Sequence, residues 1–131
     1  MHDYVSIGAA APLQEAGAVA YRLPREYYTK LSADYQSRRD RLCSALTAVG
    51  FDVEPPAGAY YVMAGIDAFG ATDDVEFARR LVRELGVASV PGSSFFRDKE
   101  LGRRYVRFCF FKKDETLDAA AERLAKLRVI V

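Results

Sequence analysis

Tyr105-Val106-Arg107-Phe108-Cys109-Phe110-Phe111 is the stretch on which the reading of this chain turns. Seven consecutive aromatic, β-branched or otherwise strand-compatible side chains, with one charge among them, form the clearest strand in the sequence. The two-residue period of a strand puts Val106, Phe108 and Phe110 on one face and Tyr105, Arg107, Cys109 and Phe111 on the other. Arg107 is therefore a guanidinium mounted mid-strand among apolar neighbours. Desolvating an unpaired charge costs several kcal/mol, so an anion or water must meet it. One account is structural: an intramolecular ion pair, or an open sheet face. The other is a rigid fork for a ligand carboxylate, whose planar geometry a guanidinium matches with two parallel hydrogen bonds. Spacing alone favours the structural account and leaves both open.

Working outward, Asp114 is expected to cap a last helix that carries Leu117, Ala120, Ala121, Leu124 and Leu127 on one side. Upstream, Val87 to Val90 is a short apolar strand ended by the Pro91-Gly92 turn signal. Before it, Thr72 or Asp73 opens a helix, Glu76 completes an Asp-x-x-Glu capping box, and Gly86 stops the helix. Pro55-Pro56-Ala57-Gly58 breaks the chain ahead of a strand from Ala59 to Ala64. A long helix runs from Pro24 or Arg25 to Val49 and stops at Gly50, with Tyr28, Leu31, Tyr35, Leu42, Leu46 and Val49 as its apolar stripe. An alanine-rich helix from Pro12 to Leu23 precedes it, with Leu13, Ala16, Ala20 and Leu23 at helical spacing. The order helix, helix, strand, helix, strand, strand, helix predicts an α/β (α+β) fold: a two-layer sandwich of a small sheet with helices packed on it, preceded by an N-terminal helix.

Composition narrows the chemistry. The chain has 131 residues, half of them apolar, with 19 basic and 18 acidic side chains and a net charge of +1. That is one soluble globular domain, with no electrostatic footprint for nucleic acid or an anionic membrane surface. No apolar run reaches the roughly 18–20 residues of a membrane-spanning helix, and the opening residues lack a secretory signal layout, so a cytoplasmic location is expected. His2, the single histidine, would have to serve any Ser-His-Asp triad, Cys-His pair or His-based zinc site, which argues against all three. Cys43 and Cys109 lack Cys-x-x-Cys spacing and are expected to be buried, reduced thiols. Arg22, Arg25, Arg38, Arg39 and Arg41 read as a solvated helix face. The acids around Asp73 and Asp114 read as helix caps, so neither a metal site nor an acid–base pair is expected. Pro91-Gly92-Ser93-Ser94 lacks the glycine spacing of a phosphate loop and reads as an ordinary connecting turn. The tyrosines of Gly58-Ala59-Tyr60-Tyr61 are expected to pack.

Four stretches in combination carry a resemblance: Pro56-Ala57-Gly58-Ala59-Tyr60-Tyr61-Val62-Met63, Glu76-Phe77-Ala78 to Leu85-Gly86-Val87, Val90-Pro91-Gly92-Ser93-Ser94-Phe95, and Val106-Arg107-Phe108-Cys109-Phe110. In this order and spacing the chain resembles the C-terminal, small domain of class I/II pyridoxal-phosphate aminotransferases of fold type I, the aspartate-aminotransferase-like group. The resemblance extends to Ile7–Gly17, similar to the helix leading out of that family's large domain. It implies that residues 1–23 are an interdomain helix segment and residues 24–131 the small domain, with Met1 internal to a longer polypeptide. By position it makes Arg107 the binder of the substrate α-carboxylate. It also implies what is missing. The Schiff-base lysine and most pyridoxal 5'-phosphate contacts belong to the large domain, and Lys30, Lys99, Lys112, Lys113 and Lys126 do not match that lysine's motif.

The resemblance therefore implies no catalytic residue in this chain and no cofactor bound to it alone. The implied partners are the large cofactor-binding domain, amino acid and 2-oxo acid substrates, and a second subunit of a homodimer. One charge-assisted contact is worth about 1.5–3 kcal/mol, whereas a 1 mM Kd already requires about 4.1 kcal/mol, so the chain alone is expected to bind such substrates weakly. Apolar surface around Ile7–Ala20 should be left uncovered. The competing reading is a free-standing α/β regulatory or protein-interaction module with Arg107 in a structural ion pair.

Overall fold

The computed structural model describes residues 10–129; His2 and the Ile7–Ala9 part of the expected interdomain segment lie outside them. The described residues divide into two compact units, one up to Ala33 and one from Asp34 on.

In the first unit, α1 (Ala11–Tyr21) has Pro12 in its first turn, where a missing N–H is not needed. It ends two residues earlier than the spacing predicts. None of its residues is buried, and Leu13, Val19 and Tyr21 are exposed. The second helix, α2 (Arg25–Val49), begins just after Pro24 and crosses the division between the units. In its first turns Tyr28 donates its hydroxyl to the Ala20 carbonyl, and Tyr27 meets Tyr28 edge to face at 5.3 Å. Tyr28 and Leu31 of the expected stripe are exposed.

The second unit is built on a four-stranded antiparallel sheet in the order β1-β2-β4-β3: β1 (Asp52–Val53), β2 (Tyr61–Gly65), β4 (Tyr105–Cys109) and β3 (Val90–Pro91). Strand β2 runs against β4 with Tyr61 opposite Cys109 and Met63 opposite Arg107. On the other side of β4, Val90 pairs with Arg107 and Pro91 with Val106. Pro91 thus occupies an edge strand, where an absent N–H is tolerated. Strand β1 was not expected, and β3 is shorter and later than the predicted Val87–Val90 segment.

The alternation read from β4 holds. Val106, Phe108 and Phe110 are buried, with Val62 and Ala64 beside them, against Leu42, Leu46 and Val49 of α2, Phe77, Ala78 and Leu81, and Leu124 and Leu127. Phe51 is the aromatic hub, with ring centroids 4.6 Å from Phe69 and 5.6 Å from Phe108. Helices thus cover one sheet face, which gives the two-layer α/β arrangement expected.

Helix α3 (Asp74–Arg80) is capped by Asp73, whose carboxylate accepts from Glu76 N–H at 2.9 Å. It continues as a π-helical turn, Leu81–Leu85, and stops at Gly86 with φ +65°. Helix α4 (Asp114–Leu124) corrects one expectation: Lys113 occupies the N-cap position, with no side-chain cap. Asp114 lies in the first turn and instead meets Arg38 at 3.2 Å and Arg41 at 4.0 Å. Asp118 also pairs with Arg41, at 3.1 Å. Part of the arginine face of α2 is therefore a surface ion-pair seam to α4. Among the described residues no helix is long and apolar enough to cross a membrane.

Candidate functional site

The sheet face away from the core carries Tyr61 and Met63 of β2 with Tyr105, Arg107 and Cys109 of β4, all half-buried. Arg107 stands in its centre. Its guanidinium carbon lies 4.7 Å from the Tyr61 ring centroid and 4.0 Å from that of Phe95. Rings at these distances attract the cation through their quadrupoles and hold the planar group in one orientation. Among the described residues no carboxylate forms an ion pair with Arg107, and its Nε is buried without a hydrogen-bond partner. The intramolecular salt bridge that spacing favoured is thus not formed among these residues. An aromatic cradle takes its place and leaves donor capacity unused.

The cradle is assembled from three places in the chain. Tyr61 reaches Arg107 diagonally across the β2–β4 ladder, two pairs on from Met63. Phe95 arrives on a 3-10 turn, Gly92–Phe95, that follows β3 directly. That turn is pinned at two points. Ser93 N–H donates to Asp74 Oδ2 at 2.7 Å, and Asp74 is 2% exposed. At Gly92 the backbone passes so close to the next loop that an added Cβ would stand 2.4 Å from the Gly102 carbonyl oxygen and 2.6 Å from that of Tyr105. A Cβ on Gly102 would meet Gly92 and Ser93 at 2.6 Å. Only glycine fits at either position.

Asp73 and Asp74 thus part company: the first is the cap expected, while the second is a buried carboxylate that ties α3 to the turn. Ser93 N–H is committed to Asp74, so this donor of the turn ties it to α3. Tyr60 packs edge to face on Tyr61 at 5.5 Å and on Phe111 at 5.2 Å, as expected of these tyrosines. Cys43 is buried as expected, and burial pushes its thiol pKa up, with Arg39 opposing and Asp40 adding to the shift. Cys109 is only half-buried, because it alternates onto the Arg107 face. Beside this region a cavity of about 600 Å³ is lined by Arg107, Cys109, Phe111, Lys112, Ala120 and Arg123 among others.

Spacing pointed to Arg107 but to none of its companions. Phe95 had a local signal, a Pro-Gly turn followed by an aromatic residue; Asp74 had only its place beside a helix start. No cluster of three or more potential metal ligands occurs among the described residues.

Pyridoxal phosphate, which the resemblance implies, finds no fit in these residues. All five lysines are exposed, whereas an amine that binds and activates a carbonyl is lowered in pKa by desolvation or a neighbouring cation. Lys112 lies over the face of Phe111 at 4.5 Å, at the edge of the aromatic group.

Residues 3–124 match the sequence profile of a family described as aminotransferase class I and II. The chain belongs to the class I and II aminotransferases. The methionine aminotransferase of Escherichia coli is 38% identical over 127 residues, which cover 97% of this chain and 33% of that protein. The probable N-succinyldiaminopimelate aminotransferase of Mycobacterium tuberculosis is 35% identical, over 95% of this chain and 34% of its own length. A solved structure of N-succinyldiaminopimelate aminotransferase from that organism superposes with a TM-score of 0.86 at 37% identity, covering 95% of this chain and 33% of the other. The chain therefore spans about a third of the length of these relatives.

Proposed function

We propose that this aminotransferase domain supplies the carboxylate grip of a longer pyridoxal-phosphate aminotransferase that exchanges an amino group between an amino acid and a 2-oxo acid. In this reading Arg107 binds the substrate α-carboxylate, residues 24–131 are the small domain, and residues 1–23 lead to it from a large domain. That large domain supplies the cofactor and its lysine, and the complete enzyme works as a homodimer. One observation carries the reading: a guanidinium fixed mid-strand between β2 and β3, stacked on two rings, with a buried unsatisfied Nε and no carboxylate of the described residues to meet it. A cation held this way is short of one thing, an anion of matching planar shape.

The described residues offer the cofactor no site, so no step of its chemistry is assigned to them. What they do is bind and orient. Strand β4 fixes the backbone of Arg107 on both sides, the rings limit rotation of its plane, and a bidentate carboxylate is then held in one direction. The experiment is Arg107→Ala in the complete enzyme. The expected loss in kcat/KM for amino acids is at least about 30-fold, equivalent to about 2 kcal/mol, from removing one member of a partly desolvated charge pair. Turnover of an amine without a carboxylate should be unaffected. An unchanged kcat/KM for amino acids overturns the reading.

A further inference from the structure

Asp74 is the one buried charged residue in the core of the described chain. A carboxylate out of water is costly unless hydrogen-bonded. It lies in the first turn of α3, where the helix dipole favours a negative charge. Its hydrogen bond, however, leaves the helix: the donor is Ser93 N–H, nineteen residues on, at 2.7 Å. Ser93 sits between Gly92, whose backbone abuts Gly102, and Phe95, whose ring lies 4.0 Å from the guanidinium carbon of Arg107. Phe95 itself is 46% exposed and is not held by the core. The placement of its ring therefore depends on the backbone of the turn, and the turn is tied at Ser93 and Gly92.

We propose that Asp74 is a positioning residue for carboxylate recognition: through Ser93 N–H it fixes the Gly92–Phe95 turn so that Phe95 holds the plane of the Arg107 guanidinium. The inference rests on the carboxylate-binding role of Arg107. Asp74 touches no substrate; it acts through the turn and the ring. Its acceptor function needs an oxygen and not a charge, so an amide at this position serves as well.

Two measurements test this. In the 131-residue chain, the Arg107 Nε–Hε resonance reports the ring-current field of Phe95 and Tyr61. In the complete enzyme, KM and kcat are measured for an amino acid and for an amine lacking a carboxylate. Asp74→Ala is expected to displace the Arg107 resonance and to raise KM for the amino acid roughly tenfold, with kcat held within about twofold, the scale of a small misplacement of a positioning group. Asp74→Asn is expected to restore both readouts, and neither variant should change KM for the amine. Phe95→Leu, at an exposed position with the Asp74 bond intact, is expected to give the same KM rise; should Asp74→Ala fail to fold, Asp74→Leu, which fills the site without an acceptor, takes its place with the same expected readouts.

The proposal is overturned if Asp74→Ala leaves the Arg107 resonance and KM unchanged, if Phe95→Leu leaves KM unchanged, or if Asp74→Asn is as impaired as Asp74→Ala. Arg107→Ala separates the two claims. If it leaves amino acid turnover intact, the carboxylate reading fails, while the resonance still decides whether Asp74 positions the guanidinium.

Discussion

The two faces of β4 solve opposite problems with alternate residues of one strand. Val106 and Phe108 are 0% and 4% exposed and are closed over by the molecule's own helices. Tyr105, Arg107 and Cys109 are half-open, and the central side chain carries a buried Nε without a hydrogen-bond partner. The first face is satisfied within the described chain. The second is satisfied only in part, by two rings that orient a cation without neutralising it. Stability is concentrated on one face and unspent recognition capacity on the other.

If this division is real, substitutions on the core face should unfold the domain, and those on the other should spare it. Phe108→Ala gives the largest expected effect, a destabilisation of about 3–5 kcal/mol in chemical denaturation. A loss below about 1 kcal/mol would show that the core face is not the source of stability. Gly92→Ala comes next. Its Cβ would stand 2.4 Å from the Gly102 oxygen, so about 1–3 kcal/mol of overpacking is expected, with displacement of the turn. Denaturation with the Phe95 ring resonances as the reporter checks both. Thiol labelling sharpens the contrast further. Cys109 should react first and Cys43 only on opening of the domain, because Cys43 is buried and its thiol is held protonated by that burial. Equal rates would remove the distinction between the faces.

The smallest expected effect lies at the sheet's outer end, where Arg104 hydrogen-bonds Asp67 and holds its carboxyl below the usual carboxylate range. A lowered folded-state pKa stabilises the ionised fold. That contribution is present above the unfolded carboxylate pKa and is lost as pH falls through the folded one. The pair is exposed and solvent-screened, so Asp67→Asn should only slightly flatten the acid limb of a stability–pH curve, and less still at high salt. A large change in that limb would place important electrostatics on the surface and not on the Arg107 face.

What the sequence revealed and what it hid follow the range of the interactions. The alternation in β4 was legible because five strand residues repeat it; β1 was not, since Asp52–Val53 is too short to alternate and runs at once into Pro55-Pro56. Asp73 was legible as a cap because its partner, Glu76 N–H, is three residues away. Asp74 differs only in having its partner in a distant turn, and nothing local marks that. Asp114 misled for the same reason, since its partners are on α2. Arg107 announced itself as a charge in an apolar strand, whereas Tyr61 and Phe95 meet it only once β2, β3 and β4 are side by side.

The abutting backbones at Gly92 and Gly102 make residues 93–101 a clasp whose two ends are riveted and whose second half, Arg97 to Leu101, is exposed. Insertions into that exposed stretch should therefore leave the Phe95–Arg107 contact in place, provided both rivets stay glycine.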